Sequence, residues 1–248
     1  MYLTRKISNL IYKINPQFHL DLIKRGYSGL NGLDKKLIEV IKPLSAKHGY
    51  FIELGANDGL NQSNTYKLQK DFGWSGLLIE PSPTQFAKCV KNRTFANIPA
   101  IKCAACVPFG YEDKFVEMEE ANLMSVAKGL TVSNQYATSH ADIGKQFLAD
   151  SRLRYQYGAI ARTLTSLLDE VKAPNFIDLL SLDVEGNELA VLQGLDFNRY
   201  RIKWILLEVL TLSNFLVDIK DLLDKHDFIE YVVLASSGNS MDILFKGK

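Results

Sequence analysis

The sequence predicts an α/β fold in which a mostly parallel central sheet carries helices on both faces. From residue 50 onward, short apolar runs alternate with stretches of helical periodicity, which is typical of βαβ units. One predicted strand leads into a glycine turn, Glu53–Gly59, and another ends abruptly in Asp183 and Glu185. Because ligands of such sheets bind at the carboxyl ends of the strands, both features predict a functional edge.

The predicted strands and helices follow one another in regular order. Strands are expected at short apolar runs, over Tyr50–Leu54, Gly76–Glu80, Ile98–Cys103, Phe176–Leu182, Lys203–Val209, Tyr231–Ala235 and Asp242–Phe245. Helices are expected where apolar residues recur at helical spacing, over residues 63–71, Thr84–Lys91, Leu164–Val171, Glu188–Leu192 and Val217–His226. Pro81 and Pro83 stop the second strand.

The chain divides into an N-terminal helical extension, residues 1–46, and a main domain, residues 47–248. In the extension, Asp34–Ile41 predicts a helix that ends before Pro43. Over Met1–Asn15, apolar positions at helical spacing lie beside basic residues. This stretch either packs on the domain as a helix or associates weakly with a membrane surface.

Residues 107–160 interrupt the alternation with a polar stretch rich in Tyr, Ser, Gln and Asn. So long a segment inside a compact domain is usually functional, so we predict a substrate lid, helical over about residues 134–153. His140 of this lid is a candidate general base, the alternative being a surface histidine. Arg152, Arg154 and Arg162 either grip an acidic sugar or a phosphate-linked donor, or are solvated charges.

Composition narrows the class of protein. The 248 residues include 29 Lys and Arg against 28 Asp and Glu, so there is no global basic field and no nucleic-acid partner is expected. Three cysteines do not make a secreted disulfide framework, and no apolar run is long enough to span a bilayer. Without the apolar core of a signal peptide, we expect a cytoplasmic protein; nothing indicates its oligomeric state.

The turn Glu53–Gly59 distinguishes two classes of cofactor. Gly55 allows a ligand to approach the backbone, but Asn57 and Leu60 stand where the dinucleotide fingerprint requires its second and third glycines. The carboxylate of Glu53 would repel a pyrophosphate and attract the ammonium and sulfonium groups of S-adenosylmethionine. Glu80, at the end of the second strand, either accepts the two ribose hydroxyls or is a solvated carboxylate.

Three carboxylates follow two neighbouring strands of the predicted sheet. Asp183 and Glu185 lie two residues apart, so an extended segment would point both to one side, and Glu208 ends the next strand. One of them could act as a general base, or Asp183, Glu185 and Glu208 could together bind Mg²⁺. Alternatively, Glu185 and Glu188 only stabilise the start of the following helix, which is the interpretation we favour for Glu188.

These motifs resemble the FkbM-type methyltransferases. The similar stretches are FIELGANDGLNQSNTY from Phe51, GLLIEPSP from Gly76, ARTLTSLLDE from Ala161, IDLLSLDVEGNELAVLQGLDF from Ile177 and ILLEV from Ile205. They cover roughly residues 50–105 and 160–245. The resemblance implies a Rossmann-like class I methyltransferase fold and methyl transfer from S-adenosylmethionine, usually to oxygen of sugars, polyketides or glycan precursors. Many members have lysine where this chain has Ser181, so any role of that lysine is absent here.

The resemblance also implies roles for individual residues. Contacts with S-adenosylmethionine fall to Glu53, Gly55, Ala56, Asn57, Gly59, Gln62, Ser63, Asn64, Glu80, Pro81, Ala104 and Asp183. Asp183, Glu208 and His140 are the catalytic candidates for in-line attack of an acceptor hydroxyl on the sulfonium methyl. The partner is then a small-molecule or glycan acceptor. Two alternatives stay open: a nicotinamide-dependent oxidoreductase or epimerase, and a non-catalytic nucleotide-binding protein of the same fold.

Overall fold

The computed structural model describes residues 26–42, 48–95, 97–150, 153–210, 215–237 and 240–248. Most of the N-terminal extension, including the helix predicted over Met1–Asn15, lies outside these residues. The helix predicted over Asp34–Ile41 is confirmed, since a helix spans Leu33–Ile41. Within the described part of the chain, no helix has both the length and the apolar character needed to cross a bilayer.

The described residues contain eleven strands and seven α-helices. The strands are β1 Tyr50–Leu54, β2 Ser75–Ile79, β3 Ala100–Lys102, β4 Ala105–Cys106, β5 Phe115–Glu119, β6 Val126–Ala127, β7 Gln156–Arg162, β8 Phe176–Leu182, β9 Arg201–Leu210, β10 Phe228–Ser236 and β11 Ser240–Gly247. The helices are α1 Leu33–Ile41, α2 Tyr66–Phe72, α3 Pro83–Asn92, α4 Asn134–Gly144, α5 Leu164–Glu170, α6 Glu188–Leu192 and α7 Phe215–Lys225. Short 3₁₀ turns span Leu30–Gly32, Asn122–Met124 and Lys145–Phe147.

Seven strands form the central sheet, in the order β10-β11-β9-β8-β1-β2-β3. The pairs from β9 to β3 are parallel, whereas β11 lies antiparallel between β9 and β10. The chain order of the strands reverses on the two sides of β1, so β1 and β8 flank the topological switch point where such sheets bind ligands. The predicted Rossmann-like fold, mostly parallel with helices on both faces, is confirmed.

Two hydrophobic clusters cover the two faces of this sheet. Ile52 and Leu54 of β1 pack with the residues of α5, α6 and α7, whereas Phe51 packs with those of α1, α2 and α3. This alternation follows from the two-residue period of a strand. Both faces are buried, so the parallel strands are continuous apolar runs in the sequence. Truncation of Leu180, which is fully buried, to alanine is expected to cost about 2–5 kcal/mol of unfolding free energy.

The segment predicted as a polar, loosely periodic lid, residues 107–160, forms a second sheet together with the residues that flank it. Its four strands lie in the order β4-β7-β5-β6, with β5 and β7 antiparallel. The predicted helix over residues 134–153 is shorter, because α4 ends at Gly144 and a 3₁₀ turn follows. The side chain of Ser133 caps α4 by accepting a hydrogen bond from the N–H of Tyr136. The segment is therefore a folded layer beside the main sheet.

Candidate functional site

A pocket of about 810 Å³ opens between the carboxyl edge of the main sheet and the second sheet. Its walls come from the residues after β1, β2 and β8, from the stretch joining β3 to β4, and from residues 118–130. Its place at the carboxyl ends of the strands is where sheets of this kind bind small molecules and cofactors. The switch point of the sheet and the second sheet together therefore define the candidate active site.

Gly55 begins the turn that lines this pocket. Its φ angle is +75°, and a Cβ atom at this position would lie 1.9 Å from the carbonyl oxygen of Asp183. Glycine is therefore required by the close packing of the turn against the end of β8, in addition to any approach of a ligand. The N–H groups of Gly55 and Ala56 donate to the carbonyl oxygen of Ile79, at 3.1 and 3.2 Å.

Glu80 anchors the other side of the turn. Its Oε2 atom accepts the N–H of Asn57 and its Oε1 atom accepts the N–H of Ser82, each at 2.7 Å. Burial raises the pKa of Glu80 to about 7, although these two hydrogen bonds oppose the shift. A carboxylate has about four acceptor positions, so Glu80 can still accept hydrogen bonds from hydroxyl groups of a ligand in the pocket.

Glu53 lies behind the pocket wall and does not line it, contrary to its predicted place at the methionine end of the cofactor. Its carboxylate accepts hydrogen bonds from the Ser63 hydroxyl at 2.9 Å, the Asn64 N–H at 2.7 Å and the Thr65 hydroxyl at 2.6 Å. These contacts saturate the charge that was expected to face an ammonium group. Glu53 therefore organises the turn that precedes α2.

Arg93, at the end of α3, is a residue that the sequence analysis missed. It is fully buried, and its guanidinium donates to the Gly59 carbonyl at 3.0 Å, the Ser63 hydroxyl at 3.1 Å and the Gln69 amide oxygen at 2.6 Å. Its Nη1 atom lies 3.7 Å from the Glu53 carboxylate. An arginine near the end of a helix looks solvent-exposed in sequence, so nothing in the local pattern predicts this burial.

The predicted cofactor residues fall into two groups. Those that line the pocket are Gly55, Asn57, Gln62, Glu80, Pro81, Ala104 and Asp183. Those that lie behind its wall are Glu53, Ala56, Gly59, Ser63 and Asn64, whose placement supports a structural role in place of the predicted contact with the cofactor. The sequence analysis missed several further wall residues, namely Asn61, Met118, Asn122, Ser125 and Leu130.

Asp183 and Glu208 meet at the ends of β8 and β9. Their carboxyl groups are hydrogen-bonded, which requires one of them to carry a proton. Burial, and then the charges of Glu208 and Glu185, raise the pKa of Asp183 well above its ordinary value. Asp183 lines the pocket, whereas Glu208 supports it from the neighbouring strand. Asp183 therefore presents to the pocket a carboxyl group that holds its proton more tightly than an exposed aspartate.

Asp242 extends this row of carboxyl groups and was also missed. It is the register partner of Glu208 across the antiparallel pair of β9 and β11. Burial and the charge of Glu208 raise the pKa of Asp242 to about 7, while Lys36 lowers it. The sequence gives no sign that β11 inserts between β9 and β10, so the position of Asp242 beside the site is a result of topology.

Asp183 and Glu185 both line the pocket, but not through the extended segment on which the sequence prediction rested. Strand β8 ends at Leu182, and Glu185 and Gly186 adopt left-handed φ angles of +57° and +94°. The extended geometry behind the prediction therefore stops one residue before Asp183. The predicted role of Glu188 in stabilising the start of α6 is confirmed. Its Oε1 atom accepts the backbone N–H groups of Val184 and Gly186, in the turn that precedes the helix.

The alternative in which Asp183, Glu185 and Glu208 bind Mg²⁺ is not supported by the structure. Across the part of the chain that the structure describes, no group of three or more His, Cys, Asp or Glu residues is arranged to hold a metal ion. The physical reason is the left-handed turn, which directs the Glu185 carboxylate to His140, with Oε2 and Nε2 separated by 2.6 Å. The donor set therefore does not fit the ion.

His140 contacts the site through Glu185 and does not line the pocket itself. Its other ring nitrogen, Nδ1, lies 3.2 Å from the Tyr136 hydroxyl. Burial lowers the pKa of His140. The hydrogen bond and charge of Glu185, together with the charge of Glu208, raise it by more, so the net shift of the pKa is upward. The predicted role of His140 as the base that touches the acceptor is not supported by this placement.

Arg154 and Arg162 both form ion pairs with carboxylates of the same chain. Arg154 forms ion pairs with Asp142 and, at 3.2 Å, with Glu119. Arg162 pairs with Glu170 at 2.7 Å, and Arg152 lies outside the described residues. Among the described residues that line the pocket there is no lysine or arginine. The interpretation of Arg154 and Arg162 as a grip for an anionic ligand is therefore not supported.

The sequence of this domain matches a known family. Residues 53–230, more than half of the chain, match the family described as Methyltransferase FkbM domain. The chain belongs to the FkbM methyltransferase family. No curated protein sequence matches it at a significant level.

Several solved methyltransferase structures resemble this FkbM methyltransferase. The ribosomal protein L11 methylase from Lactobacillus delbrueckii subsp. bulgaricus has 11% identity and a TM-score of 0.44, covering 88% of this chain and 78% of its own. Precorrin-6y C5,15-methyltransferase from Geobacter metallireducens GS-15 has 10% identity and a TM-score of 0.44, with coverages of 90% and 96%. TrmK from M. capricolum, in complex with S-adenosyl-homocysteine, has 8% identity and a TM-score of 0.42, with coverages of 83% and 66%. The family assignment rests on the family match.

The residues of the FkbM pocket fit S-adenosylmethionine, the cofactor of this methyltransferase. Gly55 leaves the backbone of the turn open at the pocket, and a side chain there would collide with the end of β8. Glu80 offers acceptor positions on one side of the turn, and the Asp183 carboxyl lies on the other. A nucleoside with two hydroxyls and a positively charged amino-acid end matches these two carboxyl groups.

Proposed function

We propose that this FkbM methyltransferase transfers the methyl group of S-adenosylmethionine to a hydroxyl group of an uncharged sugar or glycan precursor. The proposal depends most on one observation: Glu80 and Asp183 line the same pocket, on either side of Gly55, and Glu208 contacts Asp183 from the neighbouring strand. Glu80 would hold the nucleoside end of the cofactor. The acidic pair would lie where the acceptor hydroxyl loses its proton.

The cofactor contacts follow from the order of the strands around the switch point. Glu80 would accept the ribose hydroxyls, and Pro81 and Ala104, after β2 and β3, would border the adenine side. Asn57 and Gln62 would border the amino-acid end. When bound, S-adenosylmethionine supplies a methyl group on a positively charged sulfur. The protein would orient the two reactants and exclude water, since alignment supplies much of the rate in such transfers.

Asp183 is the residue that we assign to proton transfer. Burial and the neighbouring carboxyl groups raise the pKa of Asp183, so its ionised form is a stronger base than an exposed aspartate. The proton of the acceptor hydroxyl would pass to this ionised carboxylate. Glu208 does not line the pocket, so its part is to hold Asp183 and raise the pKa of that carboxyl group.

The charge of the pocket favours an acceptor without negative charge. Glu80, Asp183 and Glu185 line it, and the described wall contains no lysine or arginine. A phosphate or carboxylate beside the reacting hydroxyl would find no cation to pair with and would be repelled by the ionised forms of these carboxyl groups, whereas a neutral sugar would not. This supports a sugar hydroxyl over the acidic or phosphate-linked acceptors that the sequence left open.

The nicotinamide alternative has no support in the site. Asn57 and Leu60 stand where the dinucleotide fingerprint requires its second and third glycines. The family match also points to methyl transfer. A non-catalytic protein of the same fold is the remaining alternative, and the experiment below separates it.

The test uses S-adenosylmethionine with a labelled methyl group. The protein is incubated with a panel of neutral glycosides, uronic acids and sugar phosphates, and products are analysed by mass spectrometry. We expect a methyl ether on a neutral glycoside, absent with Asp183→Asn. Label on a uronic acid, a sugar phosphate or a nitrogen would contradict the proposal. Binding of S-adenosylhomocysteine without any transfer would favour the non-catalytic alternative.

A further inference from the structure

The predicted lid segment, residues 107–160, contacts the residues around the pocket at two separate places. Near its start, the amide oxygen of Asn122 accepts hydrogen bonds from Asn57 at 3.3 Å and from Gln85 at 2.8 Å. Farther along, helix α4 meets the turn after β8 through His140 and Glu185. No residue of α4, all of which is described, lines the pocket. The helix therefore reaches the site through Glu185.

The His140 ring is held on both sides. Nε2 lies 2.6 Å from Oε2 of Glu185, and Nδ1 lies 3.2 Å from the hydroxyl of Tyr136, whose ring stacks on the imidazole at 5.3 Å. The two side chains of the pair are only 10% and 16% exposed. A ring with both nitrogens engaged has one orientation available, so it can fix the carboxylate that it contacts.

The turn that carries Glu185 depends on the lid for its shape. Gly186, at φ +94°, packs so closely on Val132 that a Cβ atom would lie 2.7 Å from its Cγ1 atom. The next residue, Asn187, accepts the N–H of Thr131 at 3.0 Å and donates to the carbonyl of Ala127 at 3.3 Å. Three consecutive residues of the turn, beginning with Glu185, therefore contact the lid segment.

The charges around the pair explain why Glu185 needs a partner. The groups that face His140 are the carboxylates of Glu185 and Glu208 and the Tyr136 hydroxyl, which also feels the charge of Glu188. Burial raises the pKa of Glu185, and the hydrogen bond from His140 lowers it. Without His140, a buried carboxylate would stand beside Glu208 with no positive group, which favours its neutral form or its movement into solvent.

We infer that His140 is a positioning residue, which holds the Glu185 carboxylate at the pocket wall so that the site is complete only when α4 is docked. His140 engages Oε2, and Glu185 lines the pocket, so Oε1 can accept a hydrogen bond from a second hydroxyl of the acceptor. The acceptor class that this fits is a polyol with a further hydroxyl near the methylated one. The inference rests on the proposed function.

The test compares His140→Leu, which removes the donor, with His140→Gln, whose amide N–H can replace Nε2. The exposed His48→Gln serves as the control variant. Hydrogen exchange of the backbone is followed over residues 183–187, with the Kd of S-adenosylhomocysteine measured in parallel. We expect His140→Leu to raise exchange in the turn about tenfold, equivalent to about 1.4 kcal/mol, with partial rescue in His140→Gln. The Kd should change less than threefold.

A second readout is the titration of His140, followed by NMR of its ring nitrogens. The raised pKa should fall in Glu185→Gln and stay unchanged in His48→Gln. With a methyl acceptor in hand, His140→Leu should raise the KM of the acceptor far more than the Kd of S-adenosylhomocysteine.

An unchanged titration in Glu185→Gln together with unchanged exchange in His140→Leu would overturn the inference. Absence of methyl transfer by the wild type, with the coupling of His140 to Glu185 intact, would instead contradict the proposed function. The two failures are therefore distinguishable.

Discussion

The carboxyl group of Asp183, at the end of β8, is hydrogen-bonded to that of Glu208 on the neighbouring strand β9. A second carboxyl group in such contact disfavours the ionised form of Asp183, so the pKa of Asp183 is raised. Asp183 faces the pocket and Glu208 does not. This asymmetry assigns contact with the reactants to Asp183 and support to Glu208, and it leads to the first prediction.

Asp183→Asn should lower kcat about 10²- to 10⁴-fold, the usual contribution of a general base. The amide keeps the size of the side chain, so the Kd of S-adenosylhomocysteine should change only a few-fold. Glu208→Gln should lower kcat less, because Asp183 keeps a hydrogen-bond partner. Steady-state kinetics with the identified acceptor, with the exposed Asp113→Asn as control, measures both effects. Equal activity of Asp183→Asn and wild type would remove Asp183 from the mechanism.

Cofactor affinity should depend on pH through Glu80. Its pKa is raised to about 7, so the carboxylate that accepts ribose hydroxyls loses its charge as the pH falls through 7. The Kd of S-adenosylhomocysteine should therefore rise between pH 8 and pH 6. Glu80→Gln should bind about tenfold or more weakly at pH 8, as expected for loss of a hydrogen bond to a charged group, and should show a flatter profile. Calorimetric titration at several pH values gives the comparison, and identical profiles would refute the assignment.

The same group should affect the stability of the protein without ligand. The folded state raises the pKa of Glu80 above its ordinary value of about 4.3, so it binds more protons than the unfolded state between about pH 4.3 and 7. The stabilisation that Glu80 adds to the folded state is therefore fully present below about pH 4.3 and is lost as the pH rises to about 7. Denaturant unfolding of wild type and Glu80→Gln should therefore show a difference that changes across the window. A constant difference would argue against the shift.

Gly55→Ala should damage the turn far more than the left-handed backbone alone explains. The added Cβ atom would lie 1.9 Å from the Asp183 carbonyl oxygen, so the turn must move. Gly110→Ala is the matched control, because Gly110 has a similar φ of +82° and open space around the added atom. We expect a cost of about 1–2 kcal/mol for Gly110→Ala, and a larger cost with loss of cofactor binding for Gly55→Ala. Equal losses of unfolding free energy for Gly55→Ala and Gly110→Ala in chemical denaturation would contradict a collision at Gly55.

Arg93→Met should destabilise the protein strongly, because it leaves the Glu53 carboxylate buried without its cation. Breaking a buried ion pair in this way costs about 3–5 kcal/mol. The control is Arg199→Met, which breaks an exposed pair with Asp169 and should cost about 1 kcal/mol or less. The double variant Glu53→Gln with Arg93→Met should recover part of the loss. Urea unfolding measures all three, and a loss for Arg93→Met no larger than the control would show that the pair is unimportant.

The parts of the fold that were predictable are those set by local pattern. Strands Tyr50–Leu54 and Phe176–Leu182 match their predicted bounds, because parallel strands buried on both faces are continuous apolar runs. Helix Glu188–Leu192 matches as well. Strand β7 was missed because it contains Gly158 and most of its residues are partly or fully exposed, so no alternation is visible.

The parts of the site that were not predictable depend on distant partners. Glu185 contacts His140 from a left-handed turn that no residue pattern predicts. Arg93 is buried by contacts with a turn some thirty residues earlier in the chain. Asp242 comes beside Glu208 through the insertion of β11 into the sheet. In contrast, Glu80 and Asp183 lie at strand ends, where the edge of a parallel sheet fixes their place from sequence.

The central claim is that the pocket on either side of Gly55 holds S-adenosylmethionine. A crystal structure with S-adenosylhomocysteine tests it most directly. The account predicts ribose hydroxyls within hydrogen-bond distance of Glu80 and the sulfur on the side of Asp183. Cofactor density elsewhere, or a ribose that makes no contact with Glu80, would contradict it.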